Sequence, residues 1–421
     1  MDPDRNAGEL ELEIKYVADL GEGAAQVGSG RVFVPLALAG ERVRVRVAGD
    51  RGELLEILRS SPDRVAPVSP HYGDCGGCVL QHWASAPYLA WKREQVVRAL
   101  AGQGIEADVK PVFACPPSSR RRLALHARPG GRDGARLGFK ARRSWRLVEI
   151  KECPIAMPAL VNAIPGIRRV AGALFEHPRS APTLHATWTL SGLDIDISGV
   201  ERRTSALSAD ARMRVAEAAG EADFARVTLS GETLFQARRP VVRMGRVVVG
   251  LPAGGFLQAV EAAEAEMVRI CQSALAGARV AADLFSGIGA FTFPLAEFAT
   301  VRAADVSEPA ISCLRAATAS APGLRGIIAE ARDLFRRPIS SQELRGVDAA
   351  VMDPPRAGAQ AQAAEIARSG VGRVAYVSCN PTTFARDARM LMDAGFRLER
   401  VTPVDQFLWS AHVELVGEFV R

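Results

Sequence analysis

The chain changes hydrophobic period twice. Residues 42–49 read RVRVRVAG, a strict alternation, and similar short runs (LEIKYVADL, RVFVPLAL, ELLEILR) lie between 9 and 60. Gly-rich stretches, GEGAAQVGSG and GDRG, separate them. A period of two sends successive side chains to opposite faces of a strand, so this pattern predicts a small antiparallel β-barrel over residues 1–62. Next comes a tight turn, PHYGDCGGCVLQHW, and a helix-like stretch near 87–102, YLAWKREQVVRALAG. Strand-like text then resumes, with TLHATWTLSGLDIDISG and VVRMGRVVVG, and predicts a mostly antiparallel central domain over 63–250. The 87–102 helix is expected to pack against the C-terminal domain.

From 256 the period is helical. QAVEAAEAEMVRICQSALAG puts Val260, Ala263, Met267, Ile270, Cys271 and Ala274 on one face. Apolar runs then alternate with helix-like ones: RVAADLF, VRAADVS, VDAAVMDPP and RVAYVSC. Such alternation predicts an α/β domain over 251–421, a parallel sheet with helices on both faces. Ligands of such a sheet bind beyond the carboxyl ends of its strands.

Composition narrows the function classes. No apolar run approaches the ~20 residues of a membrane span, and the charged N-terminus lacks an apolar leader, so a cytoplasmic protein is expected. Seven cysteines, an odd number, argue for catalysis or metal binding over a disulfide framework. Net charge is +6, yet residues 120–151 hold eleven Lys/Arg against Asp133 and Glu149. That segment carries +9 and leaves −3 for the rest. With Phe139 and Trp145 among its arginines, it reads as an RNA-contacting surface.

Three strand ends carry chemistry. In ADLFSGIGAFTFPLA the strand ends at Asp283, with Phe285, Gly287 and Gly289 in the following loop. The loop lacks the third glycine of a dinucleotide fingerprint and has no basic residue for a pyrophosphate, so it suits a nucleoside-type ligand. Asp305 ends the next strand about 20 residues on, where ribose hydroxyls bind in such sheets, and together they read as an S-adenosylmethionine (AdoMet) site. In VMDPPRAGA, Asp353 ends a strand and two prolines stiffen the loop after it. In VSCNPTTFARD, Asn380 and Pro381 stop the strand directly after Cys379, which leaves a thiol exposed for reaction. Further on, in SAHVELVGEFV, Glu414 shares a face with His412 among apolar residues.

LFSGIGAFTFPLA, DPPRAG, SCNPTTFARD, HVE, FLQ and CGGCVLQHW together resemble the AdoMet-dependent RNA uracil-C5 methyltransferases, including ribosomal members with an N-terminal TRAM barrel. The resemblance implies a Rossmann-like AdoMet-dependent domain. It also implies Cys379 as nucleophile, Glu414 as the base that removes the C5 proton, and Asp353 as the group that holds the uracil edge. AdoMet contacts would come from Gln258, Asp283, Phe285, Gly287, Gly289, Asp305, Asp333 and Asp353. Cys75, Cys78 and Cys153 match three of four ligands of the family's [4Fe–4S] cluster; the first position is Ser69. Val260 stands where the family has Asn, and FLWS precedes HVE where the family usually has FPHT. The implied substrate is 23S rRNA, with transfer RNA as the alternative, and the implied state is a monomer. A non-catalytic RNA-binding or ribosome-assembly protein is the rival expectation.

Overall fold

The computed structural model describes residues 8–130, 134–199 and 207–421; Arg132 and Asp133 of the basic segment lie outside them. Strands Gly8–Glu13, Tyr16–Val17, Glu22–Val27, Gly30–Pro35, Arg42–Ala48 and Arg51–Arg59 form a six-stranded, barrel-like sheet. The alternation at 42–48 behaves as its period requires. Val43 and Val45 are fully buried, while Arg42, Arg44 and Arg46 pair on the outer face with Glu11, Glu56 and Glu53. The Gly-rich GEGAAQVGSG, read from sequence as a turn, is mostly the strand Glu22–Val27. A Cβ on Gly23 would sit 2.8 Å from the Ala37 carbonyl oxygen and from Ile14 Cγ2. Its small residues therefore serve close backbone approach.

The central sheet has seven strands, in the order Leu147–Glu149, Ala135–Lys140, Arg122–Pro129, Thr183–Thr189, Gly192–Ser198, Arg226–Leu229, Glu232–Gln236. Neighbours are antiparallel except Gly192–Ser198 and Arg226–Leu229, which run parallel. A parallel pair needs a crossover, and the helix Ala209–Glu221 lies in that connection. With the helix Ile164–Ala173 it contributes Ile167, Val170 and Val215 to one core under the sheet. The sequence reading found neither helix.

The basic segment is not one open surface. Arg121 is buried and donates to Glu264 (2.7 Å), Glu261 (3.1 Å) and the Gln258 carbonyl (3.0 Å). Arg142 and Arg143 both reach Glu22 of the barrel, and Arg146 reaches Asp74. Three of the eleven cations, Arg121, Arg142 and Arg143, therefore tie the three parts together through acids distant in sequence. Trp145 is exposed, with Lys140 Nζ 3.8 Å above its ring.

The third sheet runs Ile327–Ala331, Thr300–Asp305, Val280–Leu284, Ala349–Met352, Arg373–Ser378, Glu414–Val420, Arg397–Asp405, Phe113–Ala114. The first five are parallel; Glu414–Val420 is antiparallel to both its neighbours. The edge strand Phe113–Ala114 comes from a part of the chain the sequence reading grouped with the central domain. The helix Ser85–Ala101 packs here too: Val96 and Leu100 share a core with Phe384 and Leu391. Among the described residues no helix is long and apolar enough to cross a membrane.

Candidate active site

Parallel strands bring their carboxyl ends to one edge, and this sheet uses that edge three times. Asp353 follows Met352 and Cys379 follows Ser378, on neighbouring strands paired Met352 to Tyr376. The antiparallel strand Glu414–Val420 pairs Leu415 with Ser378, so its first residue, Glu414, lands at the same edge. Strand direction thus gathers three groups separated by up to 61 positions.

Local chemistry fixes the loops. Asn380 caps the helix Pro381–Asp393 by accepting from the Thr382 N–H (3.1 Å), and its Nδ2 donates to the Arg356 carbonyl (3.1 Å). Thr383 Oγ1 donates to the same carbonyl (3.2 Å). SCNP and DPPR are therefore laced together, with Cys379 next to a helix N-terminus.

The electrostatics are those of uncompensated acids in a partly dry site. Burial pushes the Cys379 thiol up to about 11; the Glu414 and Asp353 carboxylates add to this, and the Arg356 guanidinium opposes it. Glu414 is buried and raised to about 8, by burial and then by Asp353, against the Gln406 hydrogen bond and Arg356. Asp353 is raised to about 7, chiefly by burial, against a hydrogen bond from Gln258. Glu414 Oε2 has no protein partner. Clustered perturbed acids beside a nucleophile-type residue mark functional sites.

Gln258 Nε2 donates to Asp353 Oδ2 (3.0 Å), which ties Gln258 to that carboxylate. Gln406 Nε2 donates to Gln258 Oε1 (2.9 Å), and Gln406 Oε1 accepts from the Ala259 N–H (3.1 Å). The sequence reading singled out neither Gln406 nor Arg356. Arg356 was legible in principle as the cation of DPPR; Gln406 follows an unremarked strand and had no local signal.

The nucleoside-type loop is partly as expected. Asp283 is fully buried and raised to about 7 by burial; Thr292 Oγ1 donates to its Oδ2 (2.5 Å), and its Oδ1 has no partner. Phe285 has φ +68° and its ring lies 5.5 Å from that of Phe335. Gly287 has φ +54° and open space where a Cβ would be, whereas a Cβ on Gly289 would strike Phe293 at 2.7 Å. Gly287 thus faces a space a ligand can enter, and Gly289 is glycine for packing. Asp305 accepts from the Gly287 and Ser307 N–H groups (2.9 and 2.8 Å). Asp333 caps a turn, accepting from Phe335 and Arg336 N–H.

The thiols of Cys75, Cys78 and Cys153 lie near enough for their charges to interact. Burial raises all three thiols, Cys78 to about 12, with Cys153 and Cys75 adding to the effect at Cys78. Yet no group of three His, Cys, Asp or Glu side chains among the described residues could hold a metal ion. Ser69 Oγ instead accepts from the His71 N–H (3.2 Å). This donor set does not fit a four-ligand cluster, which draws on four thiolates. His82 is buried beneath the turn against the Tyr72 hydroxyl.

The sequence family described as tRNA (uracil-5-)-methyltransferase matches residues 240–420. An uncharacterized RNA methyltransferase of Caulobacter vibrioides is 60% identical over 98% of this chain and 100% of its own. The 23S rRNA (uracil(1939)-C(5))-methyltransferase RlmD of Halomonas elongata is 35% identical over 97% of this chain and 88% of its own. Among solved structures, the Pyrococcus abyssi tRNA (uracil-54, C5)-methyltransferase in complex with S-adenosyl-L-homocysteine superposes with a TM-score of 0.73, at 24% identity, over 97% of this chain and 99% of that one. That likeness carries the fold.

Proposed function

The chain belongs to the RNA uracil-C5 methyltransferase family, and from that premise we propose that it methylates C5 of a uridine in 23S rRNA with AdoMet as methyl donor. The observation that carries the reading is the meeting of Cys379, Asp353 and Glu414 at one sheet edge, with both carboxylates raised and one Glu414 oxygen bare. A non-catalytic RNA-binding protein has no use for such a costly trio.

Uracil C5 is too weak a nucleophile to take a methyl group unaided. Cys379, once deprotonated, adds its sulfur to C6, and the C5–C6 π pair becomes a C5 enolate. Arg356 is the cation facing the thiol and supports the thiolate. The enolate carbon then takes the methyl group that AdoMet supplies. Glu414 removes the C5 proton; that C–H pair restores C5=C6 and expels the Cys379 thiolate. Asp353, held by Gln258, keeps the uracil edge in register. The base must leave its stack to reach these groups.

AdoMet would lie over Gly287, with its cationic end toward the unpartnered Asp283 Oδ1 and its ribose toward Asp305. The Phe285–Phe335 pair supplies an apolar wall for its adenine. No step passes through an iron–sulfur cluster. Support for the ribosomal substrate is the 35% identity to a 23S rRNA enzyme over nearly the whole chain; the family description favours transfer RNA as the second reading.

The test is transfer of labelled methyl from AdoMet to 5-fluorouridine-substituted 23S rRNA fragments beside substituted transfer RNA, read on a denaturing gel. Fluorine cannot leave as a proton, so a covalent protein–RNA adduct is expected with the ribosomal fragments. Adduct with transfer RNA alone reassigns the substrate; none with either, while both RNA and AdoMet bind, defeats the proposal.

A further inference from the structure

Building on that function, we propose that Gln406 is a positioning residue that holds the proton-removing Glu414 and the uracil-holding Asp353 in one hydrogen-bonded frame. Gln406 is buried and directly follows the strand Arg397–Asp405, outside every motif that identified the site. Its orientation is imposed by the backbone. The Ala259 N–H can only donate, so the Gln406 atom 3.1 Å away is the carbonyl oxygen and the other end of the amide is the donor. That Nε2 donates to Gln258 Oε1 (2.9 Å), which in turn makes Gln258 Nε2 the donor to Asp353 Oδ2 (3.0 Å). One backbone N–H therefore sets the direction of the whole chain of bonds.

Across the sheet Val404, two residues before Gln406, is the register partner of Glu414, and the Gln406 amide is among the groups that favour the ionised Glu414 carboxylate. Glu414 Oε2 is left without a partner, and an anchored carboxylate with one bare oxygen is the geometry a general base needs. Gln406 itself reaches no reacting atom; it acts through its neighbours. It stabilises ionised Glu414, as does Arg356 from the DPPR loop, while Asp353 opposes ionisation; Cys379 is the remaining titratable group facing Glu414. The backbone position is itself held. Lys92 Nζ bonds Asp405, the residue before Gln406, and also the carbonyls of Phe407 (3.2 Å) and His412 (2.6 Å).

The test uses the full chain with RNA tritiated at uracil C5 and AdoMet carrying a labelled methyl, in single turnovers, comparing wild type with Gln406→Met. Met conserves volume and removes the amide. Methyl transfer is expected to persist, slowed by the looser hold on uracil through Asp353, while tritium release slows more, by less than the ~10²–10⁴-fold that loss of the base itself would cost. A methylated covalent protein–RNA complex should then accumulate on a denaturing gel. The rise of tritium release with pH should move to higher pH than in wild type. Gln406→Glu, which keeps the acceptor for Ala259 N–H, should show the same uncoupling and covers the case in which the Met variant folds poorly. Equal slowing of both steps without accumulation, or an unmoved pH profile, in whichever variant folds, overturns the positioning role. A wild-type protein that transfers no methyl overturns the parent reading as well, so the two failures are distinct.

Discussion

Two buried clusters of ionisable groups lie within a few residues of each other, and they are built on opposite rules. Around Asp405 everything is paired: Lys92 and the Tyr88 hydroxyl (2.8 Å) occupy its two oxygens, and the ammonium also bonds two backbone carbonyls. Around Glu414 little is paired: two carboxylates and a thiol share one edge, one cation stands at the mouth, and an oxygen is orphaned. The first cluster gives up solvation and recovers it in bonds, which is a structural arrangement. The second raises its carboxylates into the neutral pH range, chiefly by burial, which is what acid–base and nucleophilic chemistry uses. The structural cluster braces the loop from which the reactive one is supplied.

The contrast breaks most sharply at the nucleophile. Cys379→Ala should remove turnover by ~10⁴-fold or more and abolish the 5-fluorouridine adduct, with RNA binding retained. Glu414→Gln should cost ~10²–10⁴-fold in turnover, read as trapped methylated complex rather than lost addition. In the paired cluster the large effect is on stability instead. Lys92→Met leaves Asp405 buried without a cation, with only the Tyr88 hydroxyl as partner, and should cost ~3–5 kcal/mol in denaturant unfolding, most of it recovered in the Lys92→Met/Asp405→Leu double variant.

A pH series separates the clusters further. Glu414 has a folded pKa of about 8, above its unfolded value, so its contribution to stability is complete below the unfolded pKa and is lost as pH rises through about 8. Glu414→Gln should therefore gain on wild type in melting midpoint as pH rises from about 5 to 9, at most ~1.4 kcal/mol per pKa unit. Turnover of wild type should climb over the same range, because only the ionised carboxylate takes the C5 proton. Smallest is the exposed pair Arg212–Glu232: Arg212→Ala should leave the melting midpoint unmoved within error.

Legibility in the sequence followed the range of the cause. The strand ends at Asp353 and Cys379 were readable because Pro354, Pro355, Asn380 and Pro381 punctuate them locally. The helix face from Val260 to Ala274 was readable from its period, and those residues do line one core. The strand Glu22–Val27 was misread because its glycine answers to Ala37 and Ile14, which local text does not mention. That Arg121, Arg142 and Arg143 of the basic segment are tied to Glu261, Glu264 and Glu22 was not legible, because those acids are far away in the chain. The ligand set of Cys75, Cys78 and Cys153 implied by resemblance finds no matching geometry among the described residues.

By itself the sequence determined the α/β class of the C-terminal part and which residues stand at its strand ends, because periodicity and proline or glycine punctuation act over a few residues. Tertiary structure alone decided that Glu414 starts beside Cys379, that Gln406 orients Gln258 and Asp353, and that Lys92 meets Asp405 across 313 positions. Those are consequences of strand direction and of which polar groups are left together when water is excluded, and neither is written in any local stretch of the chain.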